Sequence, residues 1–192
     1  MITAREASAG LYGAWRLARL DAGGVGHFEN TVEGFWRSFY AALIVLPAYI
    51  ILVLLRLADN PPEVGPLSVL AIHAIAYVAG WFALPFAMYY VTGWFDRREY
   101  YFRYICAYNW ASVLQIAVFL LITAIAASGA LPAGTAMAAT LAATLAILVY
   151  QGFIARVTLG VPVGGAIGIV VLDLVISLIL NGYTNGLLHP KM

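Results

Sequence analysis

From Trp36 to Gly182 the chain is a succession of apolar runs, at about 36–58, 67–95, 104–128, 132–155 and 162–182, separated by short polar or Gly/Pro-containing breaks. Each run reaches the roughly 20 residues that a helix needs to cross the hydrocarbon core of a bilayer. Of the 192 residues, 64% are hydrophobic and 10% charged, whereas ordinary soluble domains are about half apolar and a quarter charged. A soluble core of this length could not hide that excess without covering its own surface with it. The expected fold is therefore all-α, a polytopic membrane bundle of five transmembrane helices.

The breaks are Asp59-Asn60-Pro61-Pro62, Asp96-Arg97-Arg98-Glu99, Ser128-Gly129-Ala130-Leu131-Pro132 and the stretch from Arg156 to Pro162. The fourth run is the least apolar, because 133 to 146 is mostly Ala, Gly and Thr, which contribute little to insertion individually. A hairpin there would leave four spans. Leu145, Ile147, Leu148, Val149, Phe153 and Ile154 make its second half apolar, which favours five. Pro47 and Pro85 fall inside the first two runs, where they are expected to kink the helices.

Residues 1–30 are mixed in character and read as a cytoplasmic amphipathic segment ahead of a spanning domain at 31–188. They lack the apolar core of a signal peptide and read as mature sequence. Leu11, Trp15 and Ala18 recur at helical spacing while Ser8, Arg16 and Arg19 fall elsewhere on the wheel, as in a helix lying on the membrane surface. The Gly-rich run at 23–26 has no preceding strand and no Lys-Ser/Thr after it, so it reads as a flexible connector rather than a phosphate loop. Asn30-Thr31-Val32-Glu33 has the pattern of an N-cap with an acid three residues on.

Basic residues accumulate on the cytoplasmic side of membrane proteins. Five spans put Arg5, Arg16, Arg19, Arg37, Arg97, Arg98, Arg103 and Arg156 at one face and only Arg56 and Lys191 at the other. The amino terminus is expected inside and the carboxyl terminus outside. Aromatics such as Trp36, Tyr40, Trp94 and Tyr100 gather at the basic edge, where amphipathic rings anchor. Formal net charge is +1, which gives no electrostatic case for nucleic acid as a partner.

The most informative residue is Asp173, near the centre of the fifth run. An acid there costs about 2.5 to 3.5 kcal/mol on insertion scales. The Val, Ile and Leu residues around it offset that at about 0.3 to 0.6 kcal/mol each. The helix still inserts, but the acid should face protein or water. Asp173, Ser177 and Asn181 are spaced by four and form one polar stripe. Counted by depth, Gln115 of the third span and Thr144 of the fourth could meet Asp173, and His73 of the second could partner the stripe's outer part. Two readings of this cluster stand: interhelical hydrogen bonding that fixes the bundle, or proton and ion handling.

His73 has no metal-ligand spacing around it, so neither metal nor cofactor is expected, and the lone cysteine, Cys106, reads as packing. No nucleophile constellation is present. Gly160, Gly164 and Gly168 repeat every four residues, as do Ala138, Ala142 and Ala146, a pattern that lets helix backbones approach closely. Packing within the chain and a dimer interface both fit it.

The run Arg97-Arg98-Glu99-Tyr100-Tyr101-Phe102-Arg103-Tyr104, leading into Tyr108 and Ser112-Val113-Leu114, together with the five-span outline and short outer tail, resembles the Yip1-like family. The resemblance implies an all-helical, non-enzymatic integral membrane protein working through other membrane proteins, itself or lipids. A bacterial-type member would sit in the cytoplasmic membrane. The alternative from the residues themselves is a small proton- or ion-coupled transporter, or a subunit of one, using Asp173.

Overall fold

The structure is a computed structural model that describes residues 2–130 and 132–190. Leu131, in the break after the third run, and Lys191, one of the two basic residues assigned to the outer face, lie outside the described residues. Among the described residues the chain is all-helical: α1 (Ala4–Ala18), a 3-10 helix (Ala22–His27), α2 (Val32–Ser38), α3 (Tyr40–Asp59), α4 (Pro66–Trp94), a 3-10 turn (Arg98–Tyr100), α5 (Tyr101–Ala127), α6 (Ala133–Leu159) and α7 (Val163–Leu188). Five segments are long and apolar enough to cross a membrane, α2 and α3 together making the first of them. The Ala-rich fourth run is one continuous helix, not a hairpin. Alanine has the highest helix propensity, so this stretch is well suited to the helix it contributes little to inserting.

The breaks are built from specific caps. Thr31 caps α2, its hydroxyl accepting the Gly34 N–H at 3.0 Å. Asn30 serves α5 instead: its side-chain oxygen accepts the Arg103 N–H at 3.1 Å and its amide donates to the Glu99 carbonyl at 2.6 Å. α6 stops at Gly160, whose φ of +64° lies in the left-handed region that glycine adopts without steric cost.

α5 is the central helix. Its first half is the core, with Tyr104, Ile105, Ala107, Trp110 and Ala111 buried. α3 and α6 flank it, and α4 packs on α7, which packs on α6. Burial is concentrated at the end that carries Arg97, Arg98, Arg103 and Arg156, here called the basic end. Leu84 and Met88 of α4, Ile154 and Leu159 of α6, and Ile169 of α7 close that half. Across the far half, only His73 and Leu188 of the described spanning residues are buried. α3 and α4 are joined largely by side chains, with Tyr77 donating to the Ala42 carbonyl at 2.5 Å and Phe39 stacked on Phe82 toward the basic end, and Tyr49 against His73 in the far half. The bundle is tight at one end and open at the other.

Three features are not what hydropathy and spacing alone convey. First, α1 packs on the first 3-10 helix, α5 and α6 through Gly10, Gly13, Ala14 and Leu17, while Trp15 and Ala18 are exposed. A Cβ at Gly10 would lie 2.5 Å from the Trp110 ring, and Tyr150 donates to the Ala14 carbonyl at 2.7 Å. Close backbone approach selects small residues, which a hydropathy pattern does not score. Second, the Gly-rich run at 23–26 is not a flexible connector but part of the first 3-10 helix. Asp21 accepts the Gly23 N–H, and Gly24 is buried against α1. Third, the small-residue repeats do not pack within the chain. Gly164 and Gly168 face open space, Gly160 is a cap, and Ala138, Ala142 and Ala146 are exposed. The close approach falls instead at Gly165, where an added Cβ would lie 3.2 Å from Phe95.

Ion pairs hold the amino-terminal segment down. Arg37 of α2 pairs with Glu6 of α1 and lies 3.6 Å from Glu29. Thr3 and Glu6 form a reciprocal capping box, and the Thr3 N–H and hydroxyl hold the Glu6 carboxyl below the usual carboxylate range, aided by Arg37. Arg16 does the same for Asp21, with the Gly23 N–H adding to it.

Candidate functional site

The far half of the bundle encloses a crevice among α3, α4, α5 and α7, with a volume of about 270 Å³. His73 and Tyr77 line its α4 wall, Tyr49 and Arg56 its α3 wall, and Ser177 and Asn181 its α7 wall. The spacing of four that makes Asp173, Ser177 and Asn181 one stripe turns the last two into this cavity. Tyr108 and Ser112 of α5 complete the lining.

Tyr108 connects the crevice to Asp173. The acid is 8% exposed and is not itself among the lining residues. Its Oδ1 accepts the Tyr108 hydroxyl at 3.0 Å and its Oδ2 accepts the Gln151 amide at 3.0 Å. Gln151 also approaches the Gln115 oxygen at 3.5 Å, and the Gln115 amide nitrogen is buried without a partner among the described residues. Asp173, Gln151 and Gln115 thus form a line across α7, α6 and α5. Both carboxylate oxygens are satisfied by neutral donors, which is how an acid in this setting is accommodated without a cation.

Thr144 is not part of this line. Its hydroxyl donates to the Thr140 carbonyl of its own helix at 2.8 Å, and Thr140 does the same to Ala136. Depth decides the difference. At 1.5 Å per residue, Asp173 lies about 15 Å along α7 from the basic end and Gln151 about 12 Å along α6, whereas Thr144 lies about 22 Å along. Thr144 and Gln151 share a helix face two turns apart, so periodicity alone does not choose between them. Tyr108 carries no signal of its own among the many tyrosines of this chain; its register, about 10 Å into α5, is what meets Asp173.

His73 is 9% exposed. Its Nδ1 is 3.3 Å from the Tyr49 hydroxyl, which also lies 3.5 Å from the His73 carbonyl, and its Nε2 is buried with no partner among the described residues. Ser112 donates to the Tyr108 carbonyl and Thr184 to the Leu180 carbonyl, each one turn back. Asn181 uses one N–H on the Ser177 carbonyl at 2.8 Å. At the far end, His189 meets Asn60 at 3.0 Å and lies 3.7 Å from Glu63, while the Glu63 N–H donates to the Leu188 carbonyl, tying the α3–α4 loop to the end of α7. Cys106 is buried in the core at the basic end, away from the crevice. Among the described residues no three His, Cys, Asp or Glu side chains converge as a metal site.

Compared with protein-family models, with curated proteins and with solved structures, the chain has no match.

Proposed function

We propose that this chain is a non-enzymatic integral membrane protein that acts by interaction with other membrane proteins or lipids, and that the crevice is where it receives its partner. One observation carries this reading: His73 lines the crevice with its Nε2 buried and unsatisfied. The large majority of buried side-chain polar atoms in proteins have a partner. A group left without one beside a cavity this large fits a contact supplied from outside the chain. The hydroxyls of Ser112 and Thr184 donate to main-chain carbonyls, which is the geometry of helix packing rather than of an activated nucleophile. The outline remains Yip1-like in this proposal.

The orientation we propose follows the basic residues: the amino terminus and the basic end in the cytoplasm, the carboxyl terminus outside, in a bacterial cytoplasmic membrane. α1 then lies at the interface, with Tyr12 and Trp15, both more than half exposed, turned to the headgroups. The test is a photo-crosslinking side chain in place of Ser177, with one in place of exposed Leu121 of α5 as the bilayer-facing control. Capture of a discrete lipid or protein from Ser177, absent from the control, supports the proposal. Capture indistinguishable from the control overturns it.

A second reading is favoured by the Tyr108–Asp173 hydrogen bond, which puts an acid directly behind the wall of a polar cavity. In it Asp173 carries a proton or binds a cation, with Ser177 along the route. Flux of protons or a cation into liposomes that Asp173→Asn abolishes, in a protein that still folds, would establish it. Absence of flux in the wild-type protein would exclude it.

A further inference from the structure

The charge of the crevice says what kind of partner group it fits. Among the described residues Arg56 is the sole lining residue with a permanent charge, and no carboxylate side chain lines the cavity. Among the described residues Arg56 has no ion pair, in contrast to Arg16 and Arg37. A guanidinium without an ion pair at the mouth of a cavity attracts anions, and its fork matches the oxygens of phosphate or carboxylate.

The remaining unengaged groups include donors as well. The 3.3 Å contact with the Tyr49 hydroxyl admits either tautomer of His73; in the one where that hydroxyl donates to Nδ1, the ring proton sits on Nε2 and the buried, unsatisfied atom is an N–H, the form an anion would select. Asn181 retains its second amide N–H, and the Ser177 hydroxyl has no partner among the described residues. The donors of Tyr77, Tyr108, Ser112 and Thr184 are already committed, to carbonyls or to Asp173. What stays unmatched in this cavity among the described residues is thus one permanent positive charge with donors on His73, Asn181 and Ser177 around it, beside the Asn181 side-chain oxygen and the acceptor capacity of the Ser177 hydroxyl.

We infer that the crevice binds an anionic group, a phosphate or a carboxylate, held by Arg56 and by His73 Nε2. This rests on the reading of the crevice as the receiving site. The group could be carried by a lipid headgroup or by a small soluble anion. The volume of about 270 Å³ is far above the roughly 10–15 Å³ that admits one water, so either source fits.

The experiment uses the full chain, purified in a mild neutral detergent and stripped of lipid. Native mass spectrometry reads binding of phosphatidylglycerol against phosphatidylcholine of matched acyl chains. Separately, the fluorescence of Trp81, which lines the crevice, is titrated with inorganic phosphate and with acetate, Trp81→Phe giving the background from the other tryptophans. Wild type is expected to prefer the anionic lipid, or to respond to a free anion, and Arg56→Gln and His73→Gln each to weaken that binding about tenfold or more. Arg98→Gln, at the basic end, is the control expected to leave it unchanged. Arg56 is exposed, so its substitution does not threaten folding; an Arg56→Lys variant that restores part of the affinity separates charge from shape.

Preference for phosphatidylglycerol without response to free anions identifies a lipid source, and the reverse a soluble one. Binding of neither, or binding that Arg56→Gln and His73→Gln leave intact, overturns the inference. If anions fail while the Ser177 probe still captures a discrete partner, the anion assignment is wrong and the crevice remains the receiving site. If both fail, the underlying reading goes with it.

Discussion

The hydrogen bond from Tyr108 to Asp173 yields a quantitative prediction. Tyr108→Phe removes one oxygen and leaves the ring in place, so one carboxylate oxygen loses its 3.0 Å donor. Asp173→Ala removes both acceptors and orphans the Tyr108 hydroxyl and the Gln151 amide together. Interhelical hydrogen bonds in membrane proteins are worth about 0.6 kcal/mol on average and up to about 1.7. Tyr108→Phe should therefore destabilise by about 0.6–1.7 kcal/mol. Asp173→Ala loses two such bonds, partly offset by relief of the roughly 2.5–3.5 kcal/mol insertion cost of the acid. The sign of that single variant is thus a poor test, and the double-mutant cycle is a good one. In the double variant the Tyr108 hydroxyl is no longer there to be orphaned, so its destabilisation should fall short of the sum by about 0.6–1.7 kcal/mol. Reversible unfolding in mixed micelles of rising sodium dodecyl sulfate fraction, followed by tryptophan fluorescence, measures all three. Effects that add to within about 0.3 kcal/mol would mean that the two groups are not coupled, and the link from crevice to acid would be refuted.

Gly10→Ala places a methyl group 2.5 Å from the Trp110 ring and should cost about 1–3 kcal/mol of α1 docking, read as faster amide exchange across Ala4–Ala18 with α5 unaffected. Gly160→Ala puts a side chain at φ +64° and should destabilise by about 1–2 kcal/mol in the same micelle unfolding assay; no change there would mean that the helix ends differently. The Glu6 carboxyl is held below the usual carboxylate range in the folded chain, so its stabilising contribution is present at neutral pH and is lost as pH falls through its folded value. Exchange protection of the first turn of α1 should accordingly drop on acidification in wild type and show a weaker pH dependence in Glu6→Gln.

Much of the architecture is legible from residue order alone, because insertion into hydrocarbon depends on length and side-chain transfer energy, both of which are local sums. That is why five runs read from the sequence correspond to five helices able to span a membrane, and why even the Ala-rich 133–146 stretch is part of one. The singular status of Asp173 is legible for the same reason, as is the stripe it shares with Ser177 and Asn181. What lies across from a residue is not a local sum. Gln151 rather than Thr144 reaches Asp173 because α6 and α7 sit at a particular relative depth. Tyr108 is drawn out from the other tyrosines by that same register. Gly10 and Ala14 stand on the buried face of α1 where Trp110 and Tyr150 approach its backbone, a fact about the partner helices. The crevice, finally, exists because the helices close tightly at the basic end and not at the other. Relative depth, rotation and splay are set by packing between segments far apart in the chain, and only the folded bundle fixes them.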